Sequence, residues 1–271
     1  MLNEADYLRD VQYRDATNLD ARASLHRKYG RGDWFPWLAS QIDWPCGARV
    51  LEVGCGAGWF WEAAASGLPA ELDITLTDMS PGMLAEASAR VRASGRDWAV
   101  ADMTADAASL PFADASFDIV LACHMLYHLA EPAAGVAEIV RVLKPDGVAL
   151  VSTNGRAMLQ EIFALQAEVW PGEASDPVHR VFGLENGGAM LEAAFDLVEP
   201  RRYEDDLRCT DAADVEAYLR SSPPGSNASP TELKQLQRAV EMAFEAANGV
   251  LNVTKDVGVF VCRQPSITIG P

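Results

Sequence analysis

The sequence predicts an α/β fold, an open and mostly parallel sheet with helices on both faces and an N-terminal helical cap. Two observations carry that prediction. Between residues 49 and 154, short apolar runs rich in β-branched residues alternate with helical segments, as expected for central strands covered on both faces. The first of these runs passes directly into alternating glycines and then a helix, the way such a sheet hands a strand over to a ligand-binding turn. Strand, helix, strand in this order implies right-handed crossovers within one sheet.

Taken in order, strands are expected over residues 49–53, 73–77, 97–101, 117–122 and 147–153, with helices over 59–66, 81–94 and 132–143. The second helix has the clearest start, Ser80 capping it and Pro81 in its first turn, where a missing N–H costs nothing. Farther on, Ser229-Pro230-Thr231-Glu232 fits a capping box ahead of a helix over 231–247, and Asn248-Gly249 fits its stop. Leu233, Leu236, Val240, Phe244 and Ala247 share one face of that helix, so it packs rather than reacts. The run VGVFVC at 257–262 reads as a final strand, and SSPPGSNAS at 221–229 as an exposed loop. One domain results, with a cap or lid over 1–47, a core over 48–155, a lid or insertion over 156–195 and a C-terminal part over 196–271 that completes the sheet.

The formal net charge of −17 sets acidic phosphates and anionic lipid against this surface, so neither nucleic acid nor membrane is an expected partner. No stretch approaches the ~20 apolar residues of a membrane span. The N-terminus MLNEADYLRD is polar and does not read as a secretory signal, which leaves the cytoplasm as the expected location. Five cysteines stand singly, with no CxxC pair, and support neither a disulfide framework nor a zinc cluster. Arginine outnumbers lysine 18 to 4, which reads as the codon bias of a GC-rich, bacterial genome. Nothing decides between monomer and homodimer.

The informative segment is VLEVGCGAG at 50–58. Glycines at Gly54, Gly56 and Gly58 let a ligand approach the backbone, because glycine has no Cβ and tolerates positive φ. A dinucleotide fingerprint needs a glycine where Trp59 stands, and a P-loop needs a Gly-Lys-Ser/Thr that is absent. Glu52, inside the strand, either holds the loop by hydrogen bonds or touches the ligand.

Together with TLTDMSPGML around Asp78, AVADMTADAASLPF around Asp102, LPFADASFD at 110–118 and RVLKPDG at 141–147, this loop resembles the class I S-adenosylmethionine-dependent methyltransferases over roughly residues 45–155. The resemblance implies a Rossmann-like sheet with an antiparallel last strand, S-adenosylmethionine as cofactor and S-adenosylhomocysteine as product. It implies that the loop backbone cradles the methionine part, that Asp78 binds both ribose hydroxyls and that Met79 lies against the adenine. Asp102 matches the acid that accepts the adenine amino group, with Met103 as a backbone donor and Cys123 beside the cofactor. Asp106 lies nearby, and either acid reads equally as a solvated loop residue.

The stretch ACHMLYHL at 122–129 departs from the Asn/Asp-Pro-Pro-aromatic motif of nucleic-acid amino methyltransferases. It resembles the small-molecule, quinone and natural-product branch, which implies secondary metabolism and a small acceptor with an oxygen, nitrogen or carbon nucleophile. His124 and His128 are the candidate catalytic residues. Their spacing suits a metal pair only on a helix and with further ligands, which are missing, so no metal is expected. Imidazole suits deprotonation of an acceptor. Tyr13, His26, Trp34 and Tyr127 are candidate substrate contacts, with Trp37 alongside. The transfer itself is an in-line displacement that needs alignment and exclusion of water, and a base only when the nucleophile carries a proton. The alternatives are an enzyme that uses the same cofactor without methyl transfer and a non-catalytic cofactor-binding subunit.

Overall fold

A computed structural model describes residues 17–172 and 178–266. Strands β1 (Ala48–Val53), β2 (Leu72–Asp78), β3 (Ala99–Thr104), β4 (Phe117–Cys123), β5 (Leu143–Asn154), β6 (Phe195–Cys209) and β7 (Leu251–Pro265) form one sheet, in the spatial order β3-β2-β1-β4-β5-β7-β6. The first five are parallel, and β7 runs antiparallel to β5 and to β6. The parallel strands fall where the sequence places them, give or take a few residues, and the last strand has the antiparallel sense that the resemblance implied. The order reverses between β1 and β4, and the crevice at such a switch point is where open α/β sheets bind ligands.

Central strands are apolar on both sides because helices cover both sides. Val50, Leu51 and Val53 are buried, each such side chain contributing roughly 1.5–3 kcal/mol. One face packs under the helices Trp34–Ala39, Trp59–Ala64 and Pro81–Ala93. The other packs under Pro132–Val142 and the short helices Val178–Val181 and Gly187–Glu192, which deliver Phe182 and Leu191 to its core. Ser80 Oγ accepts the backbone N–H of Met83 at 3.3 Å and starts Pro81–Ala93 as its sequence suggested. The helix Pro230–Ala246 carries the full capping box of Ser229 and Glu232.

Strand β6 lies in the C-terminal part that was expected to complete the sheet, although no run of residues marked its place. Pairing of β5 with β7 stops at Asn154 opposite Val257, whereas β6 and β7 stay paired as far as Cys209 opposite Leu251. The hairpin therefore overhangs the carboxyl ends of the parallel strands as a two-stranded ribbon. Leu207, Cys209 and Val253 on this ribbon build a separate core with the helices Thr17–Tyr29, Gln160–Val169, Ala212–Arg220 and Pro230–Ala246. The segment 156–195 is thus divided: its first helix joins this overhanging core and its later ones lie on the sheet. Of the segment 196–271, the strands complete the sheet and the helices join the overhang.

Beneath the glycine loop, Glu52 and Trp61 are both buried, and Trp61 Nε1 donates to Glu52 Oε2 at 2.6 Å. Burial pushes this carboxyl from 4.5 up to about 8, the indole N–H opposing the rise and the charge of Asp78 adding to it. The unfolded chain ionises Glu52 near the ordinary value, so its contribution to stability is complete below that value and is lost as pH rises towards 8. Glu52→Gln keeps an acceptor for Trp61 and cannot ionise. Its melting temperature relative to wild type should rise between about pH 5 and about pH 8. A difference in melting temperature independent of pH would contradict a carboxyl held neutral by burial.

Candidate cofactor and acceptor site

Between β1 and the helix Trp59–Ala64, the chain turns through three glycines, all with positive φ. At Gly54 a Cβ would meet Met125 Cβ at 2.8 Å, and at Gly58 it would meet Ala87 Cα at 2.7 Å, so these two permit close packing inside the protein. Gly56 differs: among the described residues nothing lies within 4 Å of the place its Cβ would take. Its bare backbone faces open space.

The loop is tied to the end of β2. Gly56 N–H donates to Asp78 Oδ2 at 2.9 Å, and Ser80 N–H donates to Asp78 Oδ1 at 2.8 Å. Cys55 N–H donates to the Thr77 carbonyl at 2.9 Å. Burial raises the Asp78 carboxyl above its ordinary range, while bonds from Ser80, Gly56 and Met79 draw it back. A carboxylate offers about four acceptor sites, so with these backbone bonds made Asp78 keeps acceptor capacity for a ligand hydroxyl. Glu52 lies inside the strand against Trp61, which is the loop-supporting position of its two readings.

Asp102 and Asp106 separate clearly. Asp102 pairs in register with Leu76, two residues short of the pair Asp78–Thr104, roughly 7 Å below the sheet's edge. Ser88 Oγ donates to it at 2.7 Å and Arg92 lies 3.5 Å away, so its carboxylate is engaged on the helix Pro81–Ala93. Asp106 follows the end of β3, where Ala105 N–H bonds the Asp78 carbonyl, and its Oδ1 accepts from Ala108 N–H at 2.9 Å. Of the two acids, Asp106 is the one at the carboxyl edge. A strand's period of two hides this from the sequence, which gives no register. Met79 and Met103 are 40% and 44% exposed, but Met103 stands on the strand face opposite Asp102.

Cys123 ends β4, its thiol raised well above the usual value by burial and by Glu52. His124 follows with φ +54 and donates its N–H to the Ser152 carbonyl at 3.1 Å. A non-glycine residue in the left-handed region is uncommon and concentrates at functional sites. Burial, then His128 and Lys255, push His124 down to about 4, which leaves a neutral imidazole at pH 7. The segment is a strand end followed by a single 3-10 turn, Leu126–His128, so the helical spacing of the two histidines does not arise. The Tyr127 ring lies 4.6 Å from His128 and 6.5 Å from His124.

Three of the four candidate substrate contacts are described; Tyr13 lies outside the described residues. Trp34 stacks on Trp37 at 5.2 Å, tilts against His124 at 5.6 Å and meets Tyr203 edge-on at 5.4 Å. His26 sits on the helix Thr17–Tyr29, and burial with the charges of Lys255 and His124 pushes it down to about 4. Arg27, its neighbour, lies 5.4 Å over the ring of Trp59 at the end of the glycine loop. Tyr203, Asp205 and Lys255 also enter this cluster and were not anticipated. They stand on the overhanging ribbon, whose position no local signal announces.

A family model described as a methyltransferase domain matches residues 51–151. The chain is 34% identical over 157 residues to a malonyl-[acyl-carrier protein] O-methyltransferase of Hahella chejuensis, covering 58% of this chain and 51% of that protein. It is 29% identical over 185 residues to the methyltransferase GfsG of Streptomyces halstedii, 67% of this chain and 64% of that one. The chain therefore spans between half and two thirds of these relatives. Among solved structures, phosphoethanolamine N-methyltransferase 2 of Haemonchus contortus in complex with S-adenosyl-L-methionine superposes with a TM-score of 0.59 at 20% identity, over 98% of this chain and 61% of that one. The YcgJ protein of Bacillus subtilis superposes with a TM-score of 0.57 at 20% identity, over 86% and 98%. These two are likenesses of fold. The glycine loop, the Asp78 clasp and the switch point between β1 and β4 all lie within residues 51–151, the part of the chain that matches the methyltransferase domain.

Proposed function

We propose that the protein transfers the methyl group of S-adenosylmethionine to a small-molecule acceptor by in-line displacement. The observation that carries this reading is the open cradle at Gly56, whose backbone faces space beside Asp78 in the part of the chain that matches the methyltransferase domain. The residues present fit the cofactor: bare backbone for its methionine part, a carboxylate at the strand end for the ribose, and Asp106 rather than Asp102 for the adenine amino group. Bound there, the cofactor supplies a methyl group on a sulfonium. The chain's own work is to align the acceptor with that methyl and to exclude water. His124, Trp34 and Tyr127 border the acceptor's place, and the helix Thr17–Tyr29 covers it as a lid. Relatives from bacteria support a bacterial enzyme; a cytoplasmic place, secondary metabolism and the absence of a nucleic-acid partner go with the acidic composition.

Four measurements test this. Asp78→Ala should weaken S-adenosylhomocysteine binding by about 1.5–3 kcal/mol in calorimetry, the worth of hydrogen bonds to a charged group. In the wild type, affinity should fall as pH drops, beginning above the ordinary carboxylate value because Asp78 is raised; unaltered affinity in the variant would remove its ribose role. Gly56→Ala meets nothing within 4 Å among the described residues and should cost about 1–2 kcal/mol of stability for its left-handed backbone, yet lose most cofactor affinity; full affinity would place the cofactor elsewhere. Incubation with methyl-deuterated S-adenosylmethionine and an extract of small metabolites should yield a labelled product by mass spectrometry. Cofactor binding without any labelled product would favour chemistry other than methyl transfer.

A further inference from the structure

Proteins rarely leave buried polar atoms unpaired, and those that stay unpaired ask for a ligand. The acceptor side of this site holds several. Among the described residues, Trp34 Nε1 is buried without a hydrogen-bond partner, and so is Nδ1 of His26. Lys255 is only 8% exposed, and among the described residues its ammonium makes one hydrogen bond, to Asp205 Oδ2 at 2.9 Å. An ammonium has three N–H groups, so Lys255 keeps donors to spare. An indole N–H only donates, and its partner must bring an acceptor atom.

These groups are neighbours through Tyr203. Lys255 Nζ lies 4.8 Å from the centre of the Tyr203 ring, Trp34 lies 5.4 Å from it, and Trp34 reaches His124 at 5.6 Å. A Cβ on Gly30 would stand 3.6 Å from Lys255 Nζ and 2.7 Å from the His26 carbonyl, which puts the helix Thr17–Tyr29 directly against the cation. Asp205 spends its other oxygen on the Arg31 and Asp206 N–H groups, each at 3.0 Å. The pair is held rigidly, with the ammonium as its free end. The charge of Lys255 lowers both His26 and His124, and on His26 it outweighs that of Asp205.

We propose that Lys255, Trp34 and His26 form an oxyanion subsite, so that the acceptor substrate is an acid carrying a carboxylate or equivalent anionic oxygen. Asp205 is the positioning residue that aims Lys255. The location of the subsite beside a methyl donor rests on the proposed methyl transfer; the recognition of an anion does not.

The test uses the full chain and matched probes: benzoate, phenylacetate and octanoate, each against its neutral amide, titrated with indole fluorescence as the readout. At least one acid should bind about tenfold or more tighter than its amide, the worth of one charge-assisted hydrogen bond. The double variant Asp205→Asn/Lys255→Met, which removes both charges together, should lose that preference. Trp34→Phe keeps the ring and loses the N–H, and should weaken the same acid severalfold; it remains informative should the double variant not fold. Equal binding of acids and amides, no binding of any acid, or a preference that survives in both variants overturns the proposal. S-adenosylhomocysteine is titrated separately into each protein. Its failure to bind would count against methyl transfer, while the preference for acids is scored in the cofactor-free protein.

Discussion

One carboxylate holds the cofactor side of this domain together. Asp78 takes a backbone N–H from the glycine loop on one oxygen and a backbone N–H from the start of the helix Pro81–Ala93 on the other. It thereby fixes the end of β2, the turn after β1 and the next helix in a single arrangement. The glycines on either side of Gly56 close the same arrangement sterically, Gly54 against Met125 and Gly58 against Ala87. Only the middle glycine is left facing outwards. A ligand at this point meets backbone that is already organised, and pays little to order it.

A second constraint acts from the other end of the sheet. The hairpin of β6 and β7 runs on beyond β5 and carries its own apolar cluster, so four helices have something to pack on above the carboxyl ends of the strands. The helix Thr17–Tyr29 is fastened at both sides of the site. Lys28 and Tyr29 bond Asp214 on the helix Ala212–Arg220, and Arg27 lies on the ring of Trp59. Burying the pair of Asp205 and Lys255 costs desolvation that apolar residues would avoid. That cost is reasonable where a cation must be displayed to a ligand and kept from collapsing onto it.

Legibility in the sequence follows the range of the interaction. The β1 turn, the Ser80 cap and the Ser229 capping box are local, made by residues within a few positions of one another, and all three were readable. Strand β6 was not. Its inward positions over 203–209 are Tyr203, Asp205, Leu207 and Cys209, and the charge among them breaks the alternation that marks a half-buried strand. The position of Asp102 relative to the carboxyl edge was hidden for a related reason. Two aspartates four residues apart look alike until pairing with β2 shows that Thr104 is level with Asp78, with Asp102 two residues short of it and Asp106 two residues beyond. The partners Asp205 and Lys255, fifty positions apart, leave no joint trace in the chain at all.

The histidines narrow the chemistry that this arrangement can support. With His26 and His124 both lowered to about 4, their imidazoles are neutral at pH 7 and weakly basic. A base matched to a neutral hydroxyl needs a conjugate acid nearer the working pH. Neutral imidazoles of this kind are suited to accepting or donating a hydrogen bond that orients a group already nucleophilic. A methyl donor with a sulfonium leaving group asks for no more than that. Such a site gains its rate from alignment and dryness, and it selects by charge, since an acceptor that enters already ionised needs a cation to meet it. The ammonium of Lys255, buried beside neutral histidines and held from behind by Asp205, meets that need.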